Sequence, residues 1–165
     1  MNNIVLIGMP GSGKSTIGVI LAKRLGYDFV DTDNLISDRE KTTLQDIIDK
    51  KGVSEFLKIE GIVGEDLNID NTVIATGGSM VFSDSAMKNL LNGSKCVFIN
   101  VPLPEIKRRV KNIDTRGIAM EKGDTLDTLY EKRMPKYREY ADITVEVKQN
   151  SKIDNVVRKI LDKLK

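Results

Sequence analysis

Short apolar runs alternate along the chain with segments of helical period. The apolar runs at 3–8, 28–31, 72–76, 95–101 and 142–147 are predicted strands, and 14–25, 33–40, 43–51, 53–68, 84–91, 104–112, 125–140 and 152–164 are predicted helices. Gly26 suits the C-cap of the first helix, Thr43 and Ser83 suit N-caps, and Pro104 suits a first helical turn. In the last helix Ile153, Val156, Val157, Ile160, Leu161 and Leu164 form a one-sided apolar stripe that should lie on a sheet. Strands alternating with helices predict an α/β fold with a parallel sheet. There is no internal repeat, low-complexity tract or linker, so the 165 residues are expected to form a single domain, 1–165. Residues 112–124 carry few apolar side chains and two glycines, Gly117 and Gly123, and read as a mobile loop.

One stretch changes this picture from architecture to chemistry. Gly8-Met9-Pro10-Gly11-Ser12-Gly13-Lys14-Ser15-Thr16 fits G-x-x-x-x-G-K-[ST]. The run Ile4-Val5-Leu6-Ile7 leads into it and a predicted helix leads out, which is the context a phosphate-binding loop requires. Its glycines let the backbone curl with N–H groups turned inward, and the following helix adds unpaired N–H groups and partial positive charge. Lys14 can reach β- and γ-phosphates, and the Ser15 hydroxyl can ligate Mg²⁺. The alternative is a glycine-rich turn before a helix, and pattern and context together disfavour it.

Three further groups fall after predicted strands or near them. Asp31-Thr32-Asp33 ends the second strand, and ligands of open α/β sheets bind at the carboxyl ends of strands. One acid could hold the water shell of a metal and the other could accept a proton from a hydroxyl; alternatively Asp33 only caps the next helix. Thr76-Gly77-Gly78-Ser79 follows the third strand and allows close backbone approach to a ligand, or is a tight turn. Arg109, Arg116 and Arg133 are candidates for phosphate or carboxylate, because a guanidinium bonds such groups bidentately.

Bulk properties narrow the classes. Charge is balanced, 26 basic against 24 acidic residues for a net +2, which gives no argument for nucleic acid or an anionic membrane as partner. No apolar run is long enough to cross a bilayer and no signal peptide is visible, so a cytoplasmic location is expected. The single Cys96 cannot form an internal disulfide and reads as a buried thiol in a core strand. With no His, there is no His/Cys metal site, and acid–base work falls to carboxylates or Lys.

Taken together these residues resemble the shikimate kinase family, small P-loop enzymes akin to nucleoside-monophosphate kinases. The resemblance runs nearly end to end: the loop at 8–16, Asp31-Thr32-Asp33, the spacing of Gly52, Phe56 and Glu60, Gly77-Gly78, Arg116, and Arg133 followed by Pro135, Tyr137, Glu139, Ala141 and Asp142. It implies a three-layer α/β/α P-loop NTPase fold with a five-stranded parallel sheet in the order 2-3-1-4-5. It also implies an acceptor-binding helical region at about 33–62 and a lid at about 112–124. The implied reaction is phosphoryl transfer from ATP, with Mg²⁺, to a hydroxyl of shikimate, giving shikimate 3-phosphate in a monomeric enzyme.

By the same resemblance Gly11, Ser12, Gly13, Lys14, Ser15 and Thr16 hold the nucleotide phosphates, and Ser15 and Asp31 serve Mg²⁺. Asp33 binds the acceptor hydroxyls and is the candidate base; Gly77 faces the γ-phosphate and Gly78 the acceptor. Arg133 pairs with the acceptor carboxylate, Arg116 closes over the phosphates and Arg109 lies along the adenine. Three positions depart from the family pattern: Leu57 stands where it has Arg, Ser79 where it has a third Gly, and Gly117 where it has Pro. Losing one charge-assisted hydrogen bond at position 57 weakens acceptor binding by about tenfold to over a hundredfold. The expected acceptor is therefore shikimate held mainly by Arg133, or another small hydroxy acid or polyol such as gluconate; a non-catalytic nucleotide-binding module is the remaining reading.

Overall fold

The computed structural model describes residues 2–113 and 115–165. In chain order the elements are β1 (Ile4–Ile7), α1 (Lys14–Leu25), β2 (Asp28–Asp31), α2 (Thr32–Glu40), α3 (Leu44–Asp66) and β3 (Thr72–Ala75). They continue with α4 (Asp84–Leu91), β4 (Lys95–Asn100), α5 (Leu103–Arg109), α6 (Leu126–Tyr140), β5 (Ile143–Glu146) and α7 (Ile153–Leu164). All strand pairs are parallel and the sheet order is β2-β3-β1-β4-β5, as the resemblance implied. Val5 of β1 pairs with Ile74 on one side and Cys96 on the other. Both central strands β1 and β3 are buried along their whole length, which is why they read as unbroken apolar runs. Helices α1 and α7 pack on each other and on the sheet, while α3, α4 and α6 make up the other helical layer.

The sheet order has a direct consequence for function. It sets β2, β3 and β1 side by side, so the loops leaving their carboxyl ends converge on one edge. Those loops carry Asp31–Asp33, Gly77–Gly78 and the glycine loop.

Local chemistry explains most boundaries. Thr43 and Ser83 cap α3 and α4 by accepting from the N–H groups of Asp46 and Ala86, and Gly26 ends α1 with φ 69°. The predicted helices 43–51 and 53–68 are the two arms of α3, which bends at Gly52 (φ 86°, ψ 165°). The predicted helix 104–112 is shorter: α5 stops at Arg109, because Val110 turns extended and packs beside Gly11. Helix α2 is capped by Asp31, whose carboxylate accepts from the Asp33 N–H at 2.9 Å, so Asp33 itself is not the cap.

The 112–124 stretch carries no helix or strand among its described residues; Asp114 lies outside them. It is laid against the body of the protein, since Gly117 N–H donates to Gln45 Oε1 (3.0 Å) and Ile118 and Ala119 are buried. Cys96 is buried, and burial together with Asp142 pushes its thiol up to about 12. No helix among the described residues is long and apolar enough to cross a membrane.

Candidate active site

The convergent loops enclose a cavity of about 230 Å³, lined by the glycine loop, Asp31, Asp33, Glu60, Gly77, Gly78, Ser79, Arg116 and Arg133 among others. Its floor is the loop between β1 and α1. Gly13 opens α1 with φ 90°, a conformation that a side chain resists. This turn leads into Lys14 at the start of the helix. The Lys14 ammonium donates to the carbonyls of Gly8 (2.8 Å) and Met9 (2.9 Å). Burial lowers its pKa to about 8; Asp33 and Asp31 oppose that shift, whereas Arg133 and Arg116 add to it. Gly11, Gly13, Ser15 and Thr16 also line the cavity, whereas Ser12 is buried beneath the loop with its N–H on the Met9 carbonyl (3.1 Å).

Ser15 and Asp31 meet directly, the Ser15 hydroxyl donating to Asp31 Oδ2. Hard oxygen donors in pairs, with room for water, suit Mg²⁺, which takes one or two carboxylates and keeps several waters. Among the described residues there is no cluster of three or more His, Cys, Asp or Glu of the kind that cages a metal. Asp33 sits one step further in. Burial chiefly, and the neighbouring Asp31 charge, raise its pKa to about 6, while Lys14 pulls it down.

The glycine pair acts largely as a spacer for side chains. The Gly77 N–H is taken by Thr32 Oγ1 (3.0 Å), and the Gly78 carbonyl accepts from the Tyr137 hydroxyl (2.7 Å). What the pair offers is absence of bulk: a Cβ on Gly77 would lie 2.5 Å from Glu60 Oε2 and 2.7 Å from Asp33 Oδ1. A Cβ on Gly78 would lie 2.8 Å from Arg133 Nη1.

Arg133 is 2% exposed, with Nη2 donating to the Ala119 carbonyl (3.1 Å) and Nε without a partner. None of the ion pairs among the described residues includes it. A buried cation with an unused donor is a ready site for an anion. Arg116 is exposed and reaches the cavity wall from the loop between α5 and α6. Arg109 is brought to the glycine loop but not into the cavity lining: it donates to the Gly11 carbonyl (3.1 Å) and pairs with Glu105 (3.0 Å). Leu57 is half-buried in a smaller apolar recess beside Arg133, and Lys58 is exposed, so neither supplies charge to the cavity.

Two lining residues belong to the sequence pattern without an assigned role in it. Glu60 is buried on α3, its Oε1 accepting from Ser79 Oγ at 2.6 Å; burial chiefly, with Asp33, raises it to about 7 against the Ser79 bond, Arg133 and Lys14. A signal for it existed, since Glu60 interrupts the apolar stripe of Phe56, Ile59 and Val63 with a charge. Ser79 stood out as a departure from the family's third glycine, but nothing in the sequence ties it to Glu60.

A parallel sheet in this order, with a glycine loop between its central strand and α1, defines a P-loop NTPase, and acidic and basic groups facing the loop across one small cavity are the equipment of a small-molecule kinase. The family model for shikimate kinase matches residues 10–165. The shikimate kinase of Rippkaea orientalis is 39% identical over 163 residues, covering 97% of this chain and 86% of that protein. That of Persephonella marina is 32% identical over 166 residues, covering 100% of both. Among solved structures, shikimate kinase from Acinetobacter baumannii in complex with shikimate superposes with a TM-score of 0.90 at 30% identity, covering 98% of this chain and 92% of that one. The chain belongs to the shikimate kinase family.

Proposed function

We propose that the protein transfers the terminal phosphoryl group of ATP to the 3-hydroxyl of shikimate, giving ADP and shikimate 3-phosphate. The observation that carries this reading is the pairing, in one cavity, of Asp33 beside the phosphate loop with the buried, unpaired Arg133 across Gly77 and Gly78. An acceptor with hydroxyls at one end and a carboxylate at the other matches that polarity.

In this reading the loop N–H groups and Lys14 hold the phosphates, and catalysis is mainly positioning and charge stabilisation. Ser15 and Asp31 would hold Mg²⁺, which when bound neutralises phosphate charge. Asp33 accepts the hydrogen bond of the reacting hydroxyl and takes its proton as the new P–O bond forms. Its pKa of about 6 leaves it ionised at neutral pH yet more basic than an ordinary aspartate. Arg116, which also lines the cavity, balances charge on the transferring group.

Two variants test the acceptor end. Arg133→Met is expected to raise KM for shikimate by about tenfold to over a hundredfold, with KM for ATP little changed, in steady-state assays. Gly77→Ala pushes a methyl into Glu60 and Asp33, and is expected to lower kcat/KM for shikimate at least about tenfold while ADP affinity, measured by titration, is retained. A second reading, phosphorylation of another small hydroxy acid, is favoured by Leu57, which leaves the carboxylate end with Arg133 and no second arginine from α3. Coupled ADP-release assays across shikimate, gluconate and other hydroxy acids separate the two. Turnover confined to shikimate supports the main reading, and turnover confined to another acid replaces it.

A further inference from the structure

Glu60 occupies the wall of the cavity without a part in the reaction as described. It is 2% exposed, its Oε1 accepts from Ser79 Oγ (2.6 Å), and its Oε2 has no hydrogen-bond partner. Oε2 is not turned away from the chemistry. A Cβ on Gly77 would meet both Glu60 Oε2 (2.5 Å) and Asp33 Oδ1 (2.7 Å), so the two oxygens crowd the same spot. A buried carboxylate oxygen left without a donor is costly, so a site that keeps one open is suited to a donor that arrives with the ligand. The donors an acceptor polyol brings are its hydroxyls.

What decides which way Oε2 points is Ser79. The terminal torsion of a glutamate is broad and roughly two-fold, so packing alone orients the carboxyl plane weakly. The hydrogen bond from Ser79 fixes it. Leu57, half-buried near Ser79 and Arg133, offers Glu60 no competing donor. Among the described residues, Ser79 is the one hydrogen-bond partner of the Glu60 carboxylate.

We propose that Ser79 is a positioning residue for acceptor recognition: by holding Glu60 Oε1 it aims Glu60 Oε2 beside Asp33, where it receives a second hydroxyl of the acceptor next to the one that is phosphorylated. This rests on the reading of the site as an acceptor site for shikimate. The charged and titratable groups facing Glu60 are Asp33 from α2, Lys14 from α1, and Arg133 and Tyr137 from α6. The Ser79 bond, Arg133 and Lys14 favour the ionised carboxylate, whereas burial and Asp33 oppose it. Removing the Ser79 hydroxyl therefore shifts Glu60 further toward its neutral form.

The test is steady-state kinetics of the purified full chain with ATP and shikimate. Ser79→Ala is expected to raise KM for shikimate about tenfold, to leave KM for ATP within about twofold, and to move the acid limb of kcat/KM for shikimate to higher pH. Ser79→Thr, which keeps the hydroxyl, should restore most of the loss. In a Glu60→Gln background Ser79→Ala should add little, because the partner it orients is already altered. Should the alanine variant not fold, Ser79→Gly carries the same comparison. An unchanged shikimate KM in an active enzyme overturns this inference alone, as does an equal loss for both substrates that threonine does not rescue. A wild-type protein that fails to phosphorylate shikimate overturns the functional reading and this inference with it.

Discussion

Lys14→Ala is expected to lower kcat at least about a thousandfold, the scale of losing a preorganised electrostatic group at a reacting centre. The reason is where the charge sits. The ammonium is held at the mouth of the loop by the Gly8 and Met9 carbonyls, 2.8 and 2.9 Å away. It faces Asp31 and Asp33, and its pKa of about 8 keeps it mostly protonated at neutral pH. Without it, a triphosphate would meet Asp31 and Asp33 with only Arg116 and Arg133 to offset them. The variant should nonetheless fold. Lys14 is the first residue of α1, and alanine is the best helix former at such a position. Phosphoryl-transfer assays together with a thermal melt check both halves: activity lost, midpoint held to within a few degrees.

Asp33→Asn is expected to lower kcat about a hundredfold or more, with the thermal midpoint unchanged or higher. Asparagine keeps the shape, and the backbone N–H of residue 33 keeps its bond to Asp31 Oδ1 (2.9 Å). What is lost is the charge that orients the hydroxyl and takes its proton. That charge is unfavourable to the fold, because burial and Asp31 both raise the Asp33 pKa, to about 6. A drop in rate without a drop in stability is thus the signature expected of a functional acid, and a near-normal rate would remove Asp33 from the role of base. The pH profile supplies an independent reading. Asp33 must be ionised to accept a proton, so the wild-type kcat at saturating shikimate should fall as pH drops below about 6, and this limb should be absent from the residual kcat of the variant.

Local sequence made some parts of this site readable and not others. The loop at Gly8–Ser15 was legible because its pattern, its preceding strand and its following helix are contiguous. The caps at Thr43 and Ser83 were legible for the same reason, each side chain reaching only three residues along the chain. The Asp31–Asp33 pair was legible as chemistry but not in its division of labour: Asp31 caps α2 through a bond only two residues along the chain, whereas its meeting with Ser15 depends on β2 lying beside β3 and near β1. Helix α5 was read too long because helical period continues past Arg109, while Val110 is claimed by tertiary contact with Gly11. The 112–124 stretch looked free because its anchor, Gln45, is far away in sequence. Ser79 and Glu60 are 19 positions apart and meet only when α3 packs against the turn of helix at 80–82 that follows β3. A serine after two glycines carries no mark of such a partner.

The central claim is that the cradle around Lys14 grips a triphosphate while Asp33 presents an alcohol to its terminal phosphorus. Phosphorus NMR of the wild-type protein with ATP, magnesium and shikimate tests it most directly. The predicted result is a new phosphomonoester resonance that grows in step with ADP, with little inorganic phosphate. ADP accompanied only by inorganic phosphate, or an unchanged ATP spectrum over many hours, would contradict it.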